Sequence, residues 1–236
     1  MQEKTTEEIY SSMNCVWPQN SVWYDYVRKC INQFINKFLK CYLTTSSIYL
    51  NAGSGGMMYD IPGQCYHVDI TDNLIKKFPY YKKATIESLP FQTSYFDATI
   101  CVGSVLNYCD AVQSINELVR TLKTNGYLVL EFERSNTGEL WGSDEFGKGA
   151  TFQKYKYMGN IHTICLYSEK LIVNLLQEHG VAILKKHRFH CFSAVLNGLT
   201  KKEEFSGRLS NFDFLFQPIS YYMAHNVILL CKKNIL

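Results

Sequence analysis

The stretch Ile48-Tyr49-Leu50-Asn51-Ala52-Gly53-Ser54-Gly55-Gly56 constrains this chain more than any other. A short apolar run ends in a polar residue and drops into a glycine-rich turn. At the carboxyl end of the first strand of an α/β domain, such a turn forms one wall of a nucleotide-sized pocket. Further on, Asp69 closes a second strand-like run, Cys65-Tyr66-His67-Val68-Asp69. An acidic side chain there can accept hydrogen bonds from both hydroxyls of a ribose. Together the two features point to a ligand with an adenosine end.

The flanking pattern supports an α/β reading. Strand-like runs near 47–51, 65–69, 83–86 and 97–103 are followed by Asp110-Ala111-Val112-Gln113, which has the form of a capping box. Val112, Ile115, Leu118, Val119 and Leu122 then fall on one helix face, and Asn125-Gly126 is the expected stop. Tyr127 to Phe132 reads as a fifth strand. Alternation of this kind implies a mostly parallel sheet covered on both sides. Upstream, Trp23, Val27, Cys30, Ile31, Phe34, Ile35, Phe38 and Leu39 have helical spacing behind Ser21 as N-cap. Residues 1–20 show no periodicity and are expected to be partly mobile. Residues 151–158 and 161–167 can pair across Gly159-Asn160 as a hairpin. Ser168 is placed to cap a helix ended by Gly180. Residues 181–190 and 226–232 read as two closing strands.

The glycine turn also discriminates between nucleotides. A dinucleotide fingerprint needs a third glycine at the head of a helix whose N-terminus faces pyrophosphate. Here Met58 stands in that place, and Pro62-Gly63 breaks any helix early. NAD and FAD are disfavoured, and no P-loop is present. A ligand joining adenosine to a small zwitterion, without phosphate, suits the turn better, because glycine lets backbone amides approach closely.

The net charge of +3 comes from lysine pairs scattered along the chain rather than massed in a stripe, which disfavours a nucleic-acid track. The nine cysteines are dispersed, with no zinc-ligand spacing, so no metal is expected and a reducing compartment is. The acidic, polar N-terminus is unlike a signal peptide, and no apolar run nears the roughly 20 residues of a membrane span. The expectation is a soluble, cytoplasmic protein.

In order and spacing these segments resemble the class I S-adenosylmethionine-dependent methyltransferases. Asn51-Ala52-Gly53-Ser54-Gly55 is similar to the family's first motif, with Asn51 in place of its usual carboxylate. Asp69 resembles the ribose-binding acid, with Ile70 beside it. Thr85-Ile86-Glu87-Ser88-Leu89-Pro90-Phe91 is similar to the adenine-lining stretch, with Thr85 where an Asp is frequent. Tyr95 to Ser104 resembles the fourth strand, whose end faces the transferred methyl. Leu118 to Tyr127 resembles the helix and turn before the fifth strand. The resemblance implies a Rossmann-like, doubly wound, mostly parallel seven-stranded sheet with an antiparallel last strand. Residues 1–44 would form an N-terminal segment and helix packed on a domain at 45–236. Within that domain, a hairpin at 134–167 and a C-terminal insertion at 191–223 would act as lid and substrate surface.

It further implies S-adenosylmethionine as cofactor, held by Asn51, Ala52, Gly53, Ser54, Gly55, Asp69, Ile70, Ile86, Glu87, Val102, Gly103 and Ser104. Tyr108 and Glu133 are candidate catalytic residues, and Asn107 could position a substrate. Tyr24 could close over the cofactor or simply pack; His162 and Asp97 are expected to be structural, Asp97 as the cap of a turn. A small-molecule acceptor is favoured, RNA or protein acceptors stay open, and the oligomeric state is undetermined. Two alternatives remain: a non-catalytic cofactor-binding or scaffold homologue, motivated by Asn51 and the lost helix, and a nucleotide-dependent oxidoreductase, disfavoured by Met58 and Pro62.

Overall fold

Ile48–Ala52 (β1) is apolar and almost wholly buried because it pairs in parallel on both edges, with Gln64–Asp69 (β2) and Phe96–Cys101 (β4). The computed structural model describes residues 5–216 and 220–234. Tyr81–Lys83 (β3) extends the sheet beyond β2, and Leu122–Glu133 (β5) extends it beyond β4. Ala150–Tyr157 (β6) and Asn160–Tyr167 (β7) form a separate antiparallel hairpin. Val181–Phe189 (β8) and Asn226–Lys233 (β9) complete a seven-stranded sheet of order β3-β2-β1-β4-β5-β9-β8. The chain's last strand, β9, runs antiparallel to both neighbours. This is the Rossmann-like α/β sheet that the resemblance implies.

Six α-helices occur among the described residues: Thr6–Ser11 (α1), Val22–Phe34 (α2), Ala111–Thr121 (α3), Glu169–Glu178 (α4), Phe192–Thr200 (α5) and Glu203–Arg208 (α6). Helix α2 continues as a π-turn over Ile35–Leu39. Its apolar stripe packs on one face of the sheet with Tyr49, Ile100, Val129 and Ile228. On the other face, Ile115 and Leu118 of α3 and Ile172 and Leu176 of α4 meet Leu50, Leu128, Leu130 and Phe132. Alternation along β5 thus sends Leu128, Leu130 and Phe132 one way and Val129 the other. Each fully buried aliphatic side chain contributes about 1.5–3 kcal/mol.

Several local expectations are corrected. The first 20 residues include a helix, α1, whose Thr5 and Glu8 form a reciprocal capping box; six residues are too short for a period to show. The third strand is Tyr81–Lys83, not 83–86. It is exposed along its length, so no inward-outward alternation marks it. The fourth strand ends at Cys101. Helix α3 stops at Thr121 rather than at Asn125-Gly126; residues 123–126 bulge out of β5, so that Leu122 faces Phe96 and Tyr127 faces Ala98. Ser21 occupies the N-cap of α2 without a side-chain capping bond. Asp97 lies within β4 and ties two segments together, accepting from the Ile48 N–H at 2.8 Å and from Lys123 at 2.7 Å.

No helix follows the glycine turn; residues 53–63 run in turns and bends straight into β2. Among the described residues, no helix is long and apolar enough to cross a membrane.

Candidate cofactor and acceptor site

The carboxyl ends of β1, β2, β4 and β5 open into one cavity of about 330 Å³. Its cofactor-like end is made of backbone. Gly53 and Gly55 have φ of +68° and +53°, in the region that favours glycine. A Cβ on Gly53 would lie 2.4 Å from Val105, and one on Gly55 would lie 2.6 Å from Val16. Asp69, at the tip of β2, faces the same cavity. One of its carboxylate oxygens accepts from the Gly55 N–H at 2.8 Å, the other from the Thr71 N–H at 3.2 Å. Burial raises its pKa above the usual carboxylate range, opposed by these N–H groups and that of Ile70. The bend at 53–55 and the carboxylate at 69 are therefore one structural unit.

Ser54, Ile70, Ile86, Glu87, Val102, Gly103 and Ser104 also lie on the cavity wall, as do Tyr24, Tyr108 and Glu133. Asn51 and Ala52 do not. The Asn51 amide turns inward, donating to the Met57 carbonyl at 2.9 Å and to Ser54 Oγ at 3.3 Å, so it braces the turn from beneath. Asn107 is likewise structural. Its side chain exchanges two bonds with the Glu133 backbone and donates to the Cys165 carbonyl, clamping the end of β5 to β7. His162 packs edge-on among Tyr10, Tyr108 and Tyr157.

The other end of the cavity is made of side chains from distant segments. Glu133 leaves the tip of β5. Glu139 sits on a short 3-10 turn, Gly138–Leu140, and Tyr155 and Tyr157 come from the hairpin. Asn197 lies on α5, Glu203 opens α6, and His225 precedes β9. Because β9 is antiparallel, its first residue, Asn226, pairs with Glu133, which brings His225 to the mouth of the parallel strands. His225 Nε2 lies 3.3 Å from Glu133 and its Nδ1 lies 3.8 Å from Glu139. Burial alone would lower the His225 pKa, but Glu139 and Glu133 raise it to about 9. Burial alone would raise Glu133, yet His225 and Ser104 hold it below the usual range. Tyr155 donates to Glu139 at 3.2 Å, and Asn197 donates to Glu139 at 2.9 Å.

Beneath the wall, fully buried Glu131 accepts from the N–H groups of Gly103 and Ser104, both at 2.8 Å, and from Asn226 at 2.8 Å. Burial, only partly offset by these donors, pushes its pKa up to about 7. Glu131 thus shapes the loop after β4 without lining the cavity. Burial raises the Tyr108 phenol well above its ordinary value, so it keeps its proton, and its hydroxyl can donate or accept a hydrogen bond but cannot act as a base.

Sequence reasoning missed Glu131, Glu139, Tyr155, Asn197, Glu203 and His225. A signal existed for Glu131, a charge inside the apolar run Tyr127 to Phe132. His225 could have been placed by noting that an antiparallel last strand starts where the fifth ends.

The residues present fit S-adenosylmethionine: a close-approach glycine turn, a strand-end carboxylate, a bend held by Glu131, and no helix to serve a pyrophosphate. The indole Nε1 of Trp17, a residue of the cavity wall, is buried with no partner. Residues 50–130 match a family model described as a methyltransferase domain. No curated protein matches the chain in sequence. Several hundred solved chains share the fold, and three of them illustrate the likeness. A candidate S-adenosylmethionine-dependent methyltransferase from Listeria monocytogenes superposes with a TM-score of 0.61 at 11% identity, over 89% of this chain and 100% of that one. The cyclase SpnF gives 0.60 at 13%, over 100% and 98%. A Burkholderia thailandensis 1,6-didemethyltoxoflavin N1-methyltransferase, solved with that substrate and S-adenosylhomocysteine, gives 0.54 at 11%, over 90% and 84%. The matched segment runs from Leu50 in β1 to Leu130 in β5, and what the chain shares with these structures is the fold of S-adenosylmethionine-dependent methyltransferases.

Proposed function

We propose that this chain binds S-adenosylmethionine along the Gly53–Gly55 turn and Asp69, and transfers its methyl to a compact acceptor held near Glu133. The observation that carries the reading is the convergence of that turn and that carboxylate on one cavity, which continues without a break to the Glu133–His225 pair. When bound, the cofactor supplies an electrophilic methyl: an acceptor lone pair forms the new bond to carbon as the carbon–sulfur bond breaks and its electron pair stays on sulfur.

The chain's own residues do the positioning. Asp69 accepts from the ribose hydroxyls, while Ile86 and the backbone around Glu87 flank the base. Gly103 and Ser104, fixed by Glu131, set the floor near the reacting end. Glu133 and Tyr108 orient the acceptor, one as an ionised acceptor of hydrogen bonds and the other as a donor. Tyr24, Tyr155 and Tyr157 exclude water, with the hairpin and helices α5 and α6 serving as lid. Alignment of this kind supplies a large share of the rate in such reactions. At about 330 Å³ the cavity is at the low end of ligand pockets, roughly 300–1,000 Å³, which favours a small molecule as acceptor.

Isothermal titration with S-adenosylhomocysteine tests the reading. The wild type should bind, and Asp69→Ala should bind at least about tenfold more weakly, since hydrogen bonds to a charged group contribute about 1.5–3 kcal/mol. A wild type that does not bind would end it. A second reading, cofactor binding without methyl transfer, is favoured by the use of Asn51 inside the turn, where the family has a carboxylate. It predicts binding with no consumption of S-adenosylmethionine across alcohols, amines and thiols.

A further inference from the structure

We propose that the far end of the cavity takes an amine: a compact organic cation with N–H donors, held beside the Glu133–His225–Glu139 cluster and against the rings of Tyr24, Tyr155 and Tyr157. The proposal deepens the methyl-transfer reading and rests on it for the identity of the neighbouring ligand; it concerns binding of the cation, whose nitrogen must first lose a proton to solvent before its lone pair can accept a methyl group.

Charge is the first argument. Glu133 and Glu139 approach the imidazole of His225 from opposite sides, and their side chains are only 17% and 10% exposed. One imidazolium against two carboxylates leaves an excess negative charge in a largely apolar, aromatic pocket. Glu203 adds a carboxyl group at the rim, its pKa pushed up to about 7 by desolvation and by Glu139, so an arriving cation would favour its ionised form. A buried excess charge is costly unless a ligand of opposite sign neutralises it.

The second argument is independent of charge. Two side-chain oxygens on this wall, Asn197 Oδ1 and Asn226 Oδ1, are buried without a hydrogen-bond partner. Asn226 is only 1% exposed, and its amide nitrogen is already committed to Glu131. Both orphan atoms are acceptors, so the missing partner brings donors. A neutral alcohol brings one and a carboxylate brings none; a primary ammonium brings three.

The third argument is shape. The hydroxyl of Tyr155 is spent on Glu139 and that of Tyr157 on the Val16 carbonyl, so these residues offer the cavity ring rather than hydroxyl. Tyr24 and Tyr157 meet edge to face, with centroids 5.2 Å apart. Aromatic faces attract cations. A metal ion would answer the charge equally well, but among the described residues no three His, Cys, Asp or Glu side chains converge to hold one.

The experiment uses three probes of one shape: benzylamine, benzyl alcohol and benzoate. Each is titrated calorimetrically into the full chain, with and without saturating S-adenosylhomocysteine. Benzylamine should bind at least tenfold more tightly than either isostere, and Glu139→Gln should reduce that preference to threefold or less. The proposal is overturned if the alcohol or the acid binds as well as the amine, if no probe binds, or if the preference survives Glu139→Gln. Should Glu139→Gln not fold, Glu133→Gln takes its place beside the wild-type ranking. Failure of S-adenosylhomocysteine to bind would instead count against the cofactor reading; the ranking in the protein alone would then still decide the amine.

Discussion

The two ends of the cavity are built in different ways. At one end, a few consecutive residues and their backbone angles do the work: Gly53 and Gly55 turn because no side chain obstructs them, and Asp69 fastens the turn with one N–H bond. At the other end, Glu133, Glu139, Tyr155, Asn197, Glu203 and His225 arrive from six separate segments. The first end is a local device that can be kept nearly intact on many chains. The second is a product of tertiary assembly, where each side chain can change without unmaking the fold. On the proposed function, recognition of a shared ligand belongs to the first, and choice of an individual partner belongs to the second.

The contrast can be broken experimentally. The largest effect is expected at the backbone-built end. Gly53→Val would force a branched side chain into φ +68° and into Val105, and should weaken S-adenosylhomocysteine binding by roughly a hundredfold. Gly159→Ala is the control, since Gly159 also has positive φ but nothing lies within 4 Å of its added Cβ; titration should show no change. If both substitutions act alike, the turn matters only through general stability.

The side-chain end should instead respond to pH. The His225 pKa is raised from its ordinary 6.5 to about 9 by Glu139 and Glu133 against the cost of burial, with Glu131 adding. A raised cation pKa contributes stability that is fully present below about pH 6.5 and is lost as pH climbs through about 9. Between pH 7.5 and 9.5 the wild-type melting temperature should therefore fall by about 5 °C more than that of His225→Gln. Parallel melting curves would show the ion pair to be energetically idle.

The smallest effect is expected where the two ends meet. Ser104→Ala removes the 2.8 Å bond from Ser104 to Glu133. Urea unfolding should show a loss of about 1–2 kcal/mol, with cofactor affinity little changed. A large loss of cofactor affinity would mean that the two ends are not separable at this residue.

The same contrast explains what could be read from the chain. Most of the strands, the hairpin and the missing helix after the glycine turn were legible because each leaves a local trace: an apolar run, a Gly-Asn pair, a Pro-Gly break; the antiparallel last strand was implied by the family resemblance alone. Helix α4 was legible through Ser168, which accepts from the Leu171 N–H as an N-cap should. The exposed edge strand β3 and the bulge at 123–126 left no period to find. Residues 53–55 and 69 were found because their spacing along the chain is itself the motif. His225 and Glu139 have no such spacing; 86 residues separate them, and only the antiparallel return of β9 brings them within 3.8 Å. Asn51 shows the limit of motif matching, since its position was legible but the inward turn of its amide was not.

One contact reaches beyond the chemistry of the site. The Tyr157 phenol, at the tip of the hairpin, donates to the carbonyl of Val16, the residue that packs over Gly55, while the neighbouring Trp17 lies over Gly103. Two pieces of chain more than a hundred residues apart are thereby latched into a single door. Because this contact joins the two segments at the cavity wall, a bound ligand that holds either one also holds the other. Occupancy should then be visible from outside, as slower protease nicking between residues 12 and 20.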